Sequence, residues 1–512
     1  MAALCSDKFI GIGDRIANNI SRRAFLGKIA GSASLIGVGS LAHTATLRAA
    51  KIGVLRVLPD YNQPLRPQFH FTSGTGWIND PNGLVYVDGI YHMFFQHNPL
   101  GNVWGHMTWG HAISPDLVHW RQLADAIRPD SLGTIFSGSA AIDTFNTAGF
   151  GTGTNPPVIA MYTAAGGTSK ASEGRPFTQC LAYSNDGGLT FTKYKNNPVL
   201  KEIVPGNRDP KIIWYAPTRR WIMPLFLEAS HGFDLFSSPD LKHWTKFQNL
   251  SFPQSQECPN FFPLPVEGKP GSHRWIFTGA NSQYIVGQFN GHHFTPESGP
   301  FPMDNGRNFY AAQVYNNIPA SDGRTIQIGW MRGGSYPGMP FNQQMSFPCT
   351  LKLRAFPAGL RICREPVREI QSLWSHVHRI GRVALADQRR EFPDLIGNQL
   401  DIEATLHPGT ARLIGMEVCG QKIEIHTATR RISALGATGQ MEKPAHANDP
   451  VRLRILVDRT SIEVFAPDAA ASLSSCYIPL AGQSPFAIYA HGGNAIFTSL
   501  VMREITSAWK GE

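Results

Sequence analysis

The 512-residue chain is short of charge: Asp, Glu, Lys and Arg together make up only 16% of it, too few for a disordered chain. It has almost no long helical periodicity between residues 66 and 350, so strands have to carry that fold. Despite a net charge of +9, no run of Lys or Arg stands out beyond the N-terminus. Residues 1–50 hold six of the cations against two acids, and the mildly basic remainder gives no nucleic-acid footprint. No apolar stretch after residue 50 is long enough to span a bilayer, which excludes stable membrane insertion. The seven cysteines form no C-x-x-C pair for zinc or redox work. Six of them, Cys180, Cys258, Cys349, Cys363, Cys419 and Cys476, are expected as mostly free, buried thiols. His106 and His111 lie five apart and outside any H-E-x-x-H helix, so no metal site is expected.

What is present begins with an address. "SRRAFLGKIAGSASLIGVGSLA" places Arg22-Arg23 ahead of Phe25-Leu26 and a glycine-interrupted apolar stretch. It resembles a twin-arginine export signal, with cleavage expected near Ala45 to Ala50 and a periplasmic or extracellular destination.

A repeat follows. "ISPDLVHW" (113–120) returns as "SSPDLKHW" (237–244), and a weaker relative, "YSNDGGLTF" (183–191), falls between them. Each sits between apolar segments, as the same hairpin turn would in successive modules of about 60 residues, the mark of a β-propeller. The Asp88-Gly89 pair predicts a hairpin between two alternating strands. With 50 Gly and 37 Pro, the composition suits many strands and turns. Past "FPCTLKLR" (347–354) the texture changes: one helix is expected over 364–374, then strictly alternating strands that fit an antiparallel sandwich. The expected division is a leader over 1–50, a propeller over 51–360 and a sandwich over 375–512. "GFGTGT" (149–154) has phosphate-loop glycine spacing, but Pro156-Pro157 follow and no helix opens, so it reads as a turn.

Three acids stand where strand patterning should have ended: Asp80 in "WINDPNG", Asp209 in "GNRDPKI" and Glu257 in "SQECPNFF". All precede a proline, directly or one residue on, and they fall in different modules. The innermost strands of a propeller face its axis, so acids remote in sequence can converge there. Glycosidic cleavage needs such convergence, with one carboxylate ionised and one protonated, about 5–5.5 Å apart in retaining enzymes. A third acid beside Arg208 is expected to stay ionised and hold sugar hydroxyls. Trp104 and Trp109 either stack on sugar faces or fill space between modules.

"WINDPNG", "FSGSA" (136–140), "RDP" (208–210) and "ECPN" (257–260) occur in the order found in glycoside hydrolase family 32, which the sequence resembles from about residue 66 to 505. "NFYAAQ" (308–313), "IGWM" (328–331) and "DRTSIEVF" (458–465) also look like family stretches. The resemblance implies an all-β fold, a five-bladed β-propeller followed by a C-terminal β-sandwich, that cleaves terminal β-fructofuranosides of sucrose or fructan with retention. It implies no cofactor and leaves the oligomeric state open. Carried over, Asp80 matches the nucleophile, Glu257 the general acid/base and Asp209 the transition-state stabiliser. Trp77, Asn79, Gln96, Trp104, Phe136, Ser137, Arg208 and Trp330 match the fructose pocket. The chain departs from the family pattern at Asn308, usually Asp, and at Gln256, often aromatic. The rival readings are a fructosyltransferase and a carbohydrate-binding propeller without turnover.

Overall fold

Asp88 and Gly89 both adopt positive φ (48° and 90°) and join the strands Gly76–Val87 and Ile90–Asn98, the backbone a tight antiparallel hairpin demands. This hairpin belongs to the computed structural model of the chain, which describes residues 61–509 except 445, 447, 448, 480, 481, 483 and 484. The export signal and its cleavage region lie outside the described residues.

Five antiparallel sheets follow one another. The first contains Gly76–Val87, Ile90–Asn98, Thr108–Ser114 and Arg121–Ile127, with the short strand Phe341–Asn342 added in parallel beside Gly76–Val87. Thr134–Ile142, Val158–Ala165, Phe177–Ser184 and Thr192–Lys193 form the second. The third runs from Ile213–Tyr215 through Arg220–Leu227 and Gly232–Ser238 to Thr245–Ser251. Asn260–Pro265 opens the fourth and Tyr310–Val314 the fifth, each with three further strands. Neighbouring sheets share apolar cores. Trp109 and Phe94 of the first meet Ile135 and Tyr162 of the second, and Met161 and Leu181 meet Trp221 and Leu225 of the third. Phe226 and Phe233 meet Phe261 and Phe277 of the fourth, and Phe262 and Ile276 meet Leu351 and Leu353 of the fifth. The fifth packs back on the first through Ile328, Tyr310, Phe95 and Ile78. Several strands are therefore buried on both faces, Thr108–Ser114 and Val158–Ala165 along their whole length.

The recurring octapeptide is the link between third and fourth strands in the first three sheets. Asp116 accepts the amides of Val118 and His119 (3.0 and 2.8 Å) and the His119 ring (2.7 Å). Asp240 accepts the same set from Lys242 and His243 (3.0, 2.9 and 2.7 Å). In both, the Leu after the Asp turns left-handed (Leu117 φ 69°, Leu241 φ 63°) and its carbonyl accepts the indole N–H of the closing Trp. In the weaker relative, Asp186 accepts from Leu189 and Thr190, and Gly187 and Gly188 supply the positive φ. The recurrence thus reflects one self-capping turn.

Residues 364–374 do not form the expected helix. Arg364, Glu365 and Pro366 remain in the strand Gly359–Pro366, paired with Cys349–Leu351, and only Arg368–Leu373 turns, as a 3-10 helix. Those three cross-strand pairs and the Val367 amide bond to the Pro348 carbonyl (3.0 Å) outweigh local helical patterning. Beyond it, one sheet contains Asn494–Ile505, Leu400–His407, Val451–Asp458, Ser461–Ala466 and Ala471–Cys476, and a second contains Leu413–Val418, Gln421–His426 and Phe486–His491. Their inner faces share one core that includes Ile402, Ile455, Val464, Ile414, Ile425 and Ile488. The whole is all-β and consistent with a propeller followed by a β-sandwich. Among the described residues no helix is long and apolar enough to cross a membrane.

The two parts are joined by buried charge. Asp458 accepts the amides of Gln68, Phe69 and His70 (2.8, 3.0 and 3.2 Å), and the His70 ring bridges Asp458 and Glu463 at 2.9 Å on each side. Glu463 also accepts the Phe347 amide and the Ser474 hydroxyl. Burial alone would lower the pKa of His70, but the two carboxylates overcome it and hold the imidazole at about 9. This is the structural role of "DRTSIEVF".

Candidate active site

"WINDPNG" is not the corner its turn residues suggest: it lies inside the strand Gly76–Val87. Pairing with Ile90–Asn98 slips between Ile78 and Pro81 and again between Asn82 and Val85. These bulges let a run of turn formers stay in a strand while Asn79 and Asp80 leave the ladder. Asp209 and Glu257 arise differently, from left-handed backbone (φ 66° and 49°) just ahead of the inner strands of the third and fourth sheets. Cys258 (φ 38°) continues the second of these bends. The three acids do not share one turn context, as their flanking prolines imply; they share a destination.

That destination is a cavity of about 260 Å³ lined by Asp80, Asp209 and Glu257, with Asn79, Gln96, Trp104, Phe136, Ser137, Arg208 and Trp330. Trp77 does not line it. Its indole donates to Asn79 Oδ1 (3.0 Å) and its ring meets Trp330 edge-on, so it steadies the wall from behind. Trp104 stands half-exposed at the rim. Trp109 is fully buried in the core between the first two sheets and is a filler. Tyr310, Arg332 and Cys258 were missed. Tyr310 and Arg332 line the cavity, and the Cys258 thiol reaches Asp80 Oδ2 and Asp209 Oδ2 (3.3 and 3.5 Å). Tyr310 sits in a motif stretch and Cys258 adjoins Glu257, so both were open to discovery. Arg332 follows a strand end without any motif.

The acids are wired to one another. Ser137 Oγ donates to Asp80 Oδ2 (2.6 Å) and Asn79 Nδ2 to Oδ1 (3.2 Å). Asp209 accepts the Cys258 amide (3.0 Å) and stands 3.8 Å from Arg208 Nε. Arg208 Nη2 donates to Glu257 Oε1 (2.7 Å) and Tyr310 Oη to Glu257 Oε2 (2.6 Å). Gln256 Nε2 donates in turn to Tyr310 Oη (3.2 Å). Asn308 stays outside the cavity, its amide donating to the Arg332 carbonyl (2.6 Å) and its oxygen accepting the Cys476 amide (2.8 Å).

Burial pushes Asp80 above the usual carboxylate range, and the Glu257 charge adds to it against the bonds from Ser137, Asn79 and Cys258. Asp209 is lifted to about 7, since burial and the two neighbouring acids outweigh Arg208. Arg208 pulls Asp209 toward the ionised form as expected of a neighbouring cation, but desolvation of a fully enclosed carboxyl exceeds the pull of one guanidinium. Burial would raise Glu257 as well, but Tyr310 and Arg208 hold it below its ordinary value. In the unliganded cavity both aspartates therefore hold a proton more readily than an ordinary carboxylate, and Glu257 less readily. All six cysteines in the described residues are free thiols, four of them buried. Among the described residues no group of His, Cys, Asp and Glu is arranged to hold a metal ion.

The family model described as "Glycosyl hydrolases family 32 N-terminal domain" matches residues 70–366, and the model of the family's C-terminal region matches 369–504. The chain belongs to glycosyl hydrolases family 32. This family-32 chain is 35% identical over 500 residues to a levanase of Bacillus subtilis (strain 168), covering 88% of the chain and 72% of the relative. It is 30% identical over 528 residues to the extracellular exo-inulinase inuE of Aspergillus niger (strain ATCC MYA-4892 / CBS 513.88 / FGSC A1513), covering 88% and 96%. The structure of a fructofuranosidase from Schwanniomyces occidentalis complexed with fructose superposes with a TM-score of 0.78 at 25% identity, covering 87% of this chain and 99% of that one. As a family-32 member the chain is a glycoside hydrolase, and its three acids line a single cavity.

Proposed function

We propose that the chain is an exported β-fructosidase that hydrolyses terminal β-D-fructofuranosyl residues of sucrose or fructans with retention. The observation that carries this reading is that Asp80, Asp209 and Glu257, remote in sequence, line one sugar-sized cavity, where Arg208 links Asp209 to Glu257 and the Cys258 thiol links Asp80 to Asp209. The relatives named levanase and exo-inulinase, and the fructose complex of the structural neighbour, agree with a fructosyl substrate. The reading treats the five sheets as the blades of a propeller spanning 51–360, the C-terminal sandwich as 375–512, and the N-terminus as a twin-arginine signal.

Asp80 attacks the anomeric C2 as Glu257 gives its proton to the departing oxygen, so one C–O bond forms as another breaks. Glu257, now ionised, takes a proton from water, which attacks C2 and frees Asp80. Asp209 and Arg208 hold fructosyl hydroxyls, and the ionised Asp209 carboxylate meets the positive charge that develops on the ring. The reaction needs Glu257 protonated and both aspartates ionised, the opposite of the tendencies in the unliganded cavity, so bound substrate has to shift them. Hydroxyls donating to Asp80 and Asp209 favour their ionised forms, and a leaving oxygen at Glu257 Oε2 displaces Tyr310.

Incubation with sucrose, levan and inulin in parallel tests the reading. Free fructose is expected; kestose or polymer would establish the transferase, and no released sugar the binding protein. Glu257→Gln should retain the fold and lose about 10²–10⁴ in kcat.

A further inference from the structure

We propose that Arg332, with Gln256, forms the subsite that grips the leaving group and selects neutral polyhydroxy leaving groups over bare ones; this rests on the β-fructosidase reading above. Both residues are exposed and flank Tyr310, whose hydroxyl bonds Glu257. The Arg332 guanidinium lies 4.5 Å over the Tyr310 ring and 6.0 Å from that of Trp330. It makes no hydrogen bond or ion pair among the described residues, so its donors are free to meet a ligand. A departing group protonated by Glu257 leaves past this wall. Five N–H donors in a planar fork suit adjacent hydroxyls of a second sugar.

The position of Arg332 is also built rather than incidental. Its carbonyl accepts the Asn308 amide, and Asn308 in turn accepts the Cys476 amide from the sandwich strand Ala471–Cys476. On the other side the Gly333 amide bonds Gln343 Oε1 (3.1 Å), which also holds the Trp330 indole (3.0 Å). The sandwich thus sets the backbone from which the subsite reaches.

The test compares kcat/KM for sucrose and a short fructan with that for methyl β-D-fructofuranoside. The methyl glycoside has no leaving-group hydroxyls, yet its poor leaving oxygen needs the acid as much. Arg332→Ala should lower the sucrose-to-methyl ratio about tenfold or more, Arg332→Lys should restore part of it, and Gln256→Ala should lower it less. The melting temperature should stay in place, and because the Arg332 charge helps lower Glu257, any displacement of the pH profile should be the same for every substrate. A parallel fall on all substrates, with the sucrose-to-methyl ratio unchanged, overturns the proposal and makes Arg332 a support for Glu257. A wild-type enzyme that cleaves none of the fructosides removes the β-fructosidase reading and this one with it.

Discussion

The C-terminal sandwich and the hub of the five sheets bury their side chains under opposite rules. Along Gln421–His426, Ile423 and Ile425 face inward while Lys422 and Glu424 face out, and the core they join is almost wholly aliphatic. At the hub the inward positions are polar. Two residues past Asp80, Ser137 and Asp209, the inner segments carry Asn82, Ser139 and Lys211, and Asn260 and Gln313 take the corresponding places in the other two sheets. All five are buried, yet Asn82 Nδ2, both polar side-chain atoms of Asn260 and Gln313 Oε1 find no protein partner. Burial lowers the Lys211 amine to about 7. The sandwich spends its interior on stability. The hub accepts costly burial to place chemistry, and the cores between sheets hold it together.

That contrast can be broken at either end. Asp80→Asn should cost about 10²–10⁴ in turnover while leaving the unfolding midpoint unchanged or higher, because it relieves a buried carboxylate; a drop in the midpoint would deny the hub its special status. His70→Gln leaves Asp458 and Glu463 facing each other and should cost about 3–5 kcal/mol in denaturant unfolding. The imidazole's raised pKa makes this contribution fully present below pH 6.5 and lost as pH rises through about 9. The gap between wild type and variant should therefore close across that window. Ile455→Ala in the sandwich core should cost about 2–5 kcal/mol with kcat on sucrose unmoved. The smallest effect belongs to Asp240→Ala, about 1–2 kcal/mol from an exposed, self-capping turn, read as a small shift in the melting midpoint.

The same contrast decides what was legible. Alternation exposes the sandwich strands because one face meets solvent, and the D-L-x-H-W turns announce the repeat because their capping chemistry is local. The acids are visible because each stands within two residues of a proline where strand patterning breaks off. The expected helix over 364–374 fails because cross-strand pairing, a non-local effect, overrides local pattern. "WINDPNG" misleads for a related reason: a double bulge accommodates turn residues within a strand, and only the partner strand reveals it. Arg332 and Cys258 act through neighbours remote in sequence. The raised pKa of Asp209 depends on enclosure, which the pair Arg208-Asp209 does not disclose.

Residues near the two ends of the described chain meet. Tyr61 stacks on Trp509 at 4.4 Å, the Trp509 indole donates to the Pro67 carbonyl, and the Gln68 carbonyl accepts the Ala508 amide. A ribosome delivers these partners at opposite times. The first-made segment must wait, its amides at 68–70 unmatched, until Asp458 and then Trp509 emerge. Synthesis can finish individual sheets early, but the clasp closes only once Trp509 has been made. Losing residues 508 and 509 would thus loosen the segment 61–68, more than four hundred positions earlier.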